Sequence, residues 1–111
     1  MSDAVDVVSR ADGALVVHPH GVVGADCAAE LRRVLVHAVR RVRPSRLIVD
    51  LGDVSHLDPI NVGTLAAACF LCDDHHVSVR LDNTPASLTG RLAAAGIPRQ
   101  LMDRPLSDAL R

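Results

Sequence analysis

The stretch "RLIVDLGDVSHLDPINVGTLAAA", residues 46–68, decides the fold of this chain. Its first six residues are almost wholly apolar, a pattern typical of a central strand buried on both faces. After a short polar loop, an apolar run starting at Asp58 and Pro59 predicts a helix, because aspartate is a favoured N-cap and proline is favoured at the first helical position. The free N–H groups of a helix start attract anions, yet Ile60 and Asn61 complete a tip that has no hydroxyl and no basic side chain.

The residues before this stretch predict a hairpin and a helix. Two β-branched runs, at residues 4–9 and 14–20, are separated by a polar connection that ends in Gly13, which indicates two antiparallel strands. Residues 21–27 are expected to form a loop that leads into the first helix.

The residues after it predict one more strand and one more helix. Residues 77–81 alternate as a strand with one covered face does, and residues 83–96 form a capped helix with Pro85 in its first turn and Gly96 at its end. The tail, residues 99–111, is expected to hold one short strand and one helical turn. Because strand–helix–strand crossovers make parallel neighbours, the order β-β-α-β-α-β-α predicts an α/β fold. Its small mixed sheet has an antiparallel first strand, the rest parallel, and is flanked by helices.

The first helix, residues 27–42, is predicted to be amphipathic. Its apolar face is formed by Leu31, Val34, Leu35, Ala38 and Val42. Its other positions carry Arg32, Arg33, Arg40 and Arg41 beside His37, and we call these five residues the basic stripe. Such a stripe is ordinarily a solvated helix face, and the alternative interpretation is a surface that docks an acidic partner.

Composition restricts the function classes. With 111 residues, of which 49% are hydrophobic, the chain is expected to be a single domain, residues 1–111, with a packed core. A net charge of -1 gives no field that would indicate nucleic acid as a partner. No signal peptide or membrane-spanning run is evident, and three cysteines form no disulfide framework, so we expect a cytoplasmic protein without membrane insertion. No GxSxG, P-loop or HExxH pattern occurs, so neither an enzyme nor a cofactor is expected.

Residues 46–68 resemble the signature of STAS domains, the fold of anti-sigma factor antagonists. In that signature an apolar strand ending in Asp-Leu leads through a loop to Asp-Ser-Ser-Gly-Leu-Gly and a buried helix. The segment "GVVGADCAAELRRVL", residues 21–35, is similar to the family's Gly-Glu-Leu-Asp loop and first helix. The segment "VSVRLDNTPASLTGRLAAAGIPRQL", residues 77–101, is similar to its fourth strand and third helix, with Gly96-Ile97 at the Gly-Leu signature. The resemblance therefore runs over most of the chain.

The resemblance implies regulated protein binding, in which an antagonist docks on an anti-sigma factor kinase and is released when the second serine of the motif is phosphorylated. A phosphate adds about -1.5 to -2 charges and disrupts a packed interface. In this sequence Asp58 matches the motif's aspartate and Gly63 its second glycine, but Ile60 stands at the phosphoacceptor position and Pro59 at the first serine. Isoleucine cannot be phosphorylated, so the usual switch is expected to be missing.

The resemblance places the partner-binding surface at the first loop and the helix tip. In that loop Gly24 occupies the position of the usual aspartate, and Asn61 replaces the motif's first glycine. The predicted partner-binding residues are Gly24, Asp58, Pro59, Ile60, Asn61, Val62 and Thr64.

The sequence leaves the roles of three residues at this surface undecided. Ile60 is interpreted either as a partner contact or as a side chain that folds into the core. Thr64 and Ser55 are the remaining candidate phosphoacceptors.

The segment "CFLCDDHH" offers a different kind of site, because Cys69, Cys72, His75 and His76 are all zinc-ligand types. Buried cysteines commonly act as small hydrophobic residues, and this pair is predicted to lie inside a buried helix, so no metal is expected. The leading hypothesis is a regulatory module that binds an anti-sigma factor or serine-kinase-like protein. The alternatives are a STAS subunit that docks on a larger assembly such as a transporter ATPase, and a thiol- or metal-based sensor built on the cysteine cluster.

Overall fold

The structure, a computed structural model, describes residues 4–102. The strands are β1 (Val5–Ser9), β2 (Ala14–Pro19), β3 (Gly21–Val23), β4 (Arg46–Asp50), β5 (Val54–Leu57) and β6 (Ser78–Asp82). The helices are α1 (Ala28–His37), α2 (Pro59–Asp74) and α3 (Ala86–Ala94). A 3-10 turn (Ala25–Cys27) precedes α1, a π-helical turn (Ala38–Val42) continues it, and a second 3-10 turn covers Arg99–Leu101.

The main sheet has four strands in the order β1-β2-β4-β6. Strands β1 and β2 are antiparallel, whereas β4 runs parallel to both of its neighbours, with Leu47 opposite Leu15 on one side and Val79 on the other. The three apolar residues of β4, Leu47, Ile48 and Val49, are all buried, as a strand covered on both faces requires. The predicted mixed sheet, with an antiparallel first strand, is confirmed.

A second, two-stranded sheet lies at the start of α2, where the sequence predicted only loops. Strands β3 and β5 pair in parallel, with Val23 opposite Leu57, and both side chains are fully buried. The prediction that residues 21–27 form a loop was therefore wrong for β3. A run of three residues carries too little periodicity to reveal a strand, and its partner lies more than 30 residues further along the chain.

The core is aliphatic, as a chain with a single aromatic residue requires. The largest fully buried side chains are Leu31, Leu35, Leu47, Leu51, Leu57, Leu65, Leu81, Leu92, Ile97, Val17, Val23 and Val39. They come from both sheets and all three helices, and α1 packs directly against α2.

The π-helical turn changes which residues of the first helix face the core. Val42, predicted on the apolar face, is 48% exposed, whereas Val39 is fully buried. The Arg43 N–H closes the turn by donating to the Ala38 carbonyl at 2.8 Å, one residue further back than in an α-helix. This wider turn shifts the phase of the helix, so the 3.6-residue periodicity gave the wrong face for Val42.

The remaining boundaries differ little from the predictions. Strand β6 is shifted by one residue, and α3 begins at Ala86 with Pro85 as its N-cap rather than in its first turn. The predicted strand and helical turn of the tail lie largely outside the described residues, apart from the turn at Arg99–Leu101. None of the helices within residues 4–102 is long and apolar enough to cross a membrane.

Candidate functional site

The tip of α2 is built by Asp58 and Pro59. The Asp58 backbone is extended, and its Oδ1 accepts a hydrogen bond from the Ile60 N–H at 3.1 Å, which satisfies one of the free donors of the helix start. Pro59 has no N–H to satisfy at the first helical position. The Asp58 N–H in turn donates to the carbonyl of Val23 at 3.0 Å, so β3 holds the helix start in place. The predicted N-cap is confirmed.

Asn61 is the feature of this tip that sequence reasoning missed. Its side chain is fully buried, and Nδ2 donates to the carbonyls of Val23 at 2.9 Å and Gly24 at 2.8 Å. The amide therefore links the tip of α2 to the loop that follows β3. Its Oδ1 is buried without a hydrogen-bond partner. An asparagine in the first turn of an otherwise apolar helix was the available signal, since buried polar groups are normally hydrogen-bonded.

Ile60 points outward. Its side chain is 53% exposed, although it is flanked by the buried Asn61 and lies in the first turn of a helix that is otherwise largely buried. The interpretation that this residue folds into the core is therefore wrong. Together with the exposed Pro59, Ile60 forms an apolar projection on a backbone held by the Asp58 cap and the Asn61 amide.

The other predicted site residues surround this projection unequally. Gly24 is half-buried, and its carbonyl is engaged by Asn61. Val62 is only 7% exposed and belongs to the core, so neither Val62 nor Asn61 offers a partner its side chain in this conformation. Thr64 is half-buried and its Oγ1 donates to the carbonyl of Ile60 at 3.1 Å. Ser55 is exposed on β5, the strand that precedes Asp58.

A groove of about 480 Å³ leads away from Ile60 between α1 and α2. We call it the α1–α2 groove, and its lining residues are Arg32, Leu35, Val36, Arg40, Ile60, Gly63, Thr64, Ala67, Ala68 and Leu71. Most of the lining is apolar or glycine, the two charged residues are both arginines, and no acidic residue lines it. Ile60 and Thr64 are thus joined to part of the basic stripe, a connection that the sequence alone did not show.

The cysteine cluster has the character of core. Cys69 and Cys72 are 7% and 0% exposed. Burial raises the pKa of the Cys69 thiol to about 12, with a further contribution from Cys72, and burial raises the pKa of Cys72 to about 11. Both groups are therefore neutral thiols near pH 7, and a neutral thiol is a poor nucleophile. Among residues 4–102, no three His, Cys, Asp or Glu side chains converge as a metal site.

The architecture matches known proteins. A model of the STAS domain family matches residues 7–110. The structure of the Bacillus cell fate determinant SpoIIAA in the phosphorylated form is similar, with a TM-score of 0.77 and 15% sequence identity over 96% of each chain. A single-residue variant of the Moorella thermoacetica protein RsbS gives a TM-score of 0.76 and 16% identity over 96% of this chain and 91% of that chain.

A third similarity is to part of a larger protein. The murine anion transporter Slc26a9 matches with a TM-score of 0.69 and 19% identity, over 93% of this chain but only 18% of the transporter. A search of curated protein sequences finds no match. Identities this low show a shared fold, while the family match spans nearly all of the sequence. The chain therefore belongs to the STAS domain family.

Proposed function

We propose that this chain is a non-enzymatic regulatory module that uses the α2 tip to bind an anti-sigma factor or serine-kinase-like protein. Binding is not switched by serine phosphorylation at position 60. The observation that carries the proposal is the half-exposed Ile60 on a capped helix start. The exposed part of this apolar side chain does not contribute to the core, and covering it with another surface would be favourable because it removes apolar area from water.

The gain from covering Ile60 is useful but modest. Burying a whole isoleucine side chain contributes about 1.5–3 kcal/mol, and about half of this one is still exposed, so a partner would gain roughly 1 kcal/mol from it. That is about a fivefold change in affinity. The tip is suited to binding because it is already ordered by Asp58 and Asn61, so little conformational entropy is lost on docking.

From the same geometry we expect a charge at position 60 to weaken binding strongly. Ionised aspartate here would have to be desolvated in a packed interface, as a phosphate would at this position of the family motif. With isoleucine at position 60, phosphorylation of this residue cannot switch the surface off. Control of such a module would depend on its abundance or on the state of its partner.

The test is affinity capture from lysate of the source organism with three baits, read by mass spectrometry. The baits are the wild type, Ile60→Asp, and the matched control Val8→Asp. Val8 is also β-branched and is 55% exposed, but it lies on the edge strand β1. We expect the wild type and Val8→Asp to recover a regulator with a serine-kinase-like domain, and Ile60→Asp to lose it.

Two results would contradict the proposal. Recovery of the same regulator by all three baits would place binding on another face. Recovery of no such regulator by the wild type would remove the anti-sigma interpretation.

A second candidate function is suggested by the similarity to a part of the anion transporter Slc26a9. Under it, the module would dock on a transporter assembly through the same surface. Capture of transporter subunits in place of a kinase-like regulator would favour this candidate.

A further inference from the structure

We propose that the α1–α2 groove binds an acidic amphipathic helix of a partner protein. This inference deepens the proposed function, because Ile60 lies in the groove, and it adds the chemistry of the partner. Four properties of the groove support it: a glycine in its floor, its charge, its walls and its length.

Gly63 gives the first argument. It lies inside α2, where glycine is less favourable than alanine because its backbone loses more conformational freedom in a helix. A Cβ built on it would meet no heavy atom within 4 Å, so nothing in the described chain requires a glycine there. A glycine that packing does not demand, next to the small side chains Ala67 and Ala68, leaves room for the backbone of another molecule to approach closely.

The charge of the groove gives the second argument. Arg32 and Arg40 both line it, and no acidic side chain does. Residues eight apart on a regular α-helix differ by about 80° in direction, and the π-helical turn at Ala38–Val42 reduces that difference by widening the helix. Arg32 and Arg40 therefore line one apolar channel together, and their positive charge favours carboxylates on the occupant.

The walls and length of the groove give the third and fourth arguments. Both walls are helices, whose backbone groups are paired internally, so an added strand would find no hydrogen-bond partners there. The occupant must therefore pair its backbone N–H and C=O groups with one another, as an α-helix does. From Ile60 to Leu71 the groove follows α2 for about 16 Å, which fits an occupant of about three turns. Its apolar stripe would cover Ile60, Ala67 and Leu71.

The experiment uses a displayed library of helical peptides of about four turns. Leucines stand at i, i+3, i+4 and i+7, and the other positions vary among Glu, Gln and Lys. The library is selected on the full-length wild type. Affinities of the selected peptides are then measured on three variants: Arg32→Glu/Arg40→Glu, the matched control Arg33→Glu/Arg41→Glu, and Gly63→Ala. The control pair makes the same charge change at exposed positions of the same helix that do not line the groove.

We expect glutamate-rich helices to be enriched. Reversing both groove arginines should weaken their binding about tenfold or more, since each ion pair contributes up to about fivefold in affinity and reversal adds repulsion. The control pair should change binding less than about threefold at 0.15 M salt, where exposed charges further away are screened. Gly63→Ala should weaken binding while raising the melting temperature, a combination that misfolding cannot produce.

Three outcomes would overturn the inference: no enrichment, enrichment of lysine-rich or uncharged helices, or equal losses with the groove and control pairs. The result is independent of the capture experiment. Binding of acidic peptides by a chain that captures no regulator would refute the proposed function alone. Capture of a regulator that Ile60→Asp loses but Arg32→Glu/Arg40→Glu retains would refute the groove alone.

Discussion

Replacing Asn61 by alanine tests whether this buried amide holds the site together. The substitution removes two hydrogen bonds, to the carbonyls of Val23 and Gly24. Each is worth about 1 kcal/mol net. Neither carbonyl is orphaned, because the Asp58 N–H still donates to Val23 and the Cys27 N–H to Gly24, both at 3.0 Å. Alanine recovers up to about 0.7 kcal/mol in helix propensity, so the free energy of unfolding should fall by about 1–2 kcal/mol.

Urea denaturation at pH 7 measures this change as a lower midpoint with an unchanged m-value. The control is Gln100→Ala, which removes an exposed amide and should change the free energy of unfolding by less than about 0.5 kcal/mol. A loss as small as the control's would show that the Asn61 amide contributes nothing to stability. A loss above about 4 kcal/mol would show that the carbonyls had been left unpaired after all.

Asn61→Asp sharpens the test, because it places a carboxylate against two carbonyl oxygens in a fully buried position. Burial and repulsion would raise the folded-state pKa of this carboxyl above its unfolded value of about 3.9. The protonated form can donate one hydrogen bond. Stability should therefore be present below about pH 4 and be lost as the pH rises through the folded-state pKa. A variant equally stable at pH 4 and pH 7 would contradict this account of the buried amide.

Further predictions concern the cap and the thiols. Asp58→Ala should lower the free energy of unfolding by about 1 kcal/mol, because it removes the N-cap hydrogen bond to the Ile60 N–H. Asp58→Asn should keep most of this stabilisation, since asparagine is also a favoured N-cap. Equal losses for the two variants in urea denaturation would show that the cap hydrogen bond is unimportant. Burial raises the folded-state pKa of Cys69 to about 12 and that of Cys72 to about 11, from an unfolded-state value of 9.0. The two thiols should therefore contribute their whole stabilisation below pH 9.0 and lose it as the pH rises from 9.0 through the folded-state values. In that pH range the free energy of unfolding should fall by up to about 1.4 kcal/mol per pH unit for each thiol. Denaturation at pH 8 to 10.5 measures that slope, and Cys69→Ala/Cys72→Ala should flatten it. The three buried cysteines should also resist a thiol reagent at pH 8 until the chain is unfolded, and rapid modification of two thiols in the native protein would favour the sensor hypothesis.

The sequence by itself determined the frame of the site. The apolar run of β4, the Asp58 cap with Pro59, and the hairpin whose connection ends at Gly13 were all predicted, because each is a local pattern read over a few neighbouring residues. The lack of a hydroxyl at Ile60 is likewise a property of the sequence alone.

Only the tertiary structure decided which way the side chains of the site point. Asn61 is buried because carbonyls 37 and 38 residues earlier in the chain accept its hydrogen bonds. Ile60 is exposed because the side chain of Asn61, the next residue, points into the protein and that of Ile60 points to solvent. Strand β3 exists because β5 pairs with it, and the π-helical turn brings Arg40 to the groove while turning Val42 outward. The burial of Asn61 and the pairing of β3 depend on contacts between segments far apart in the chain, which a periodicity read within one segment does not contain. The π-helical turn is a local departure from the 3.6-residue repeat on which the sequence prediction was based.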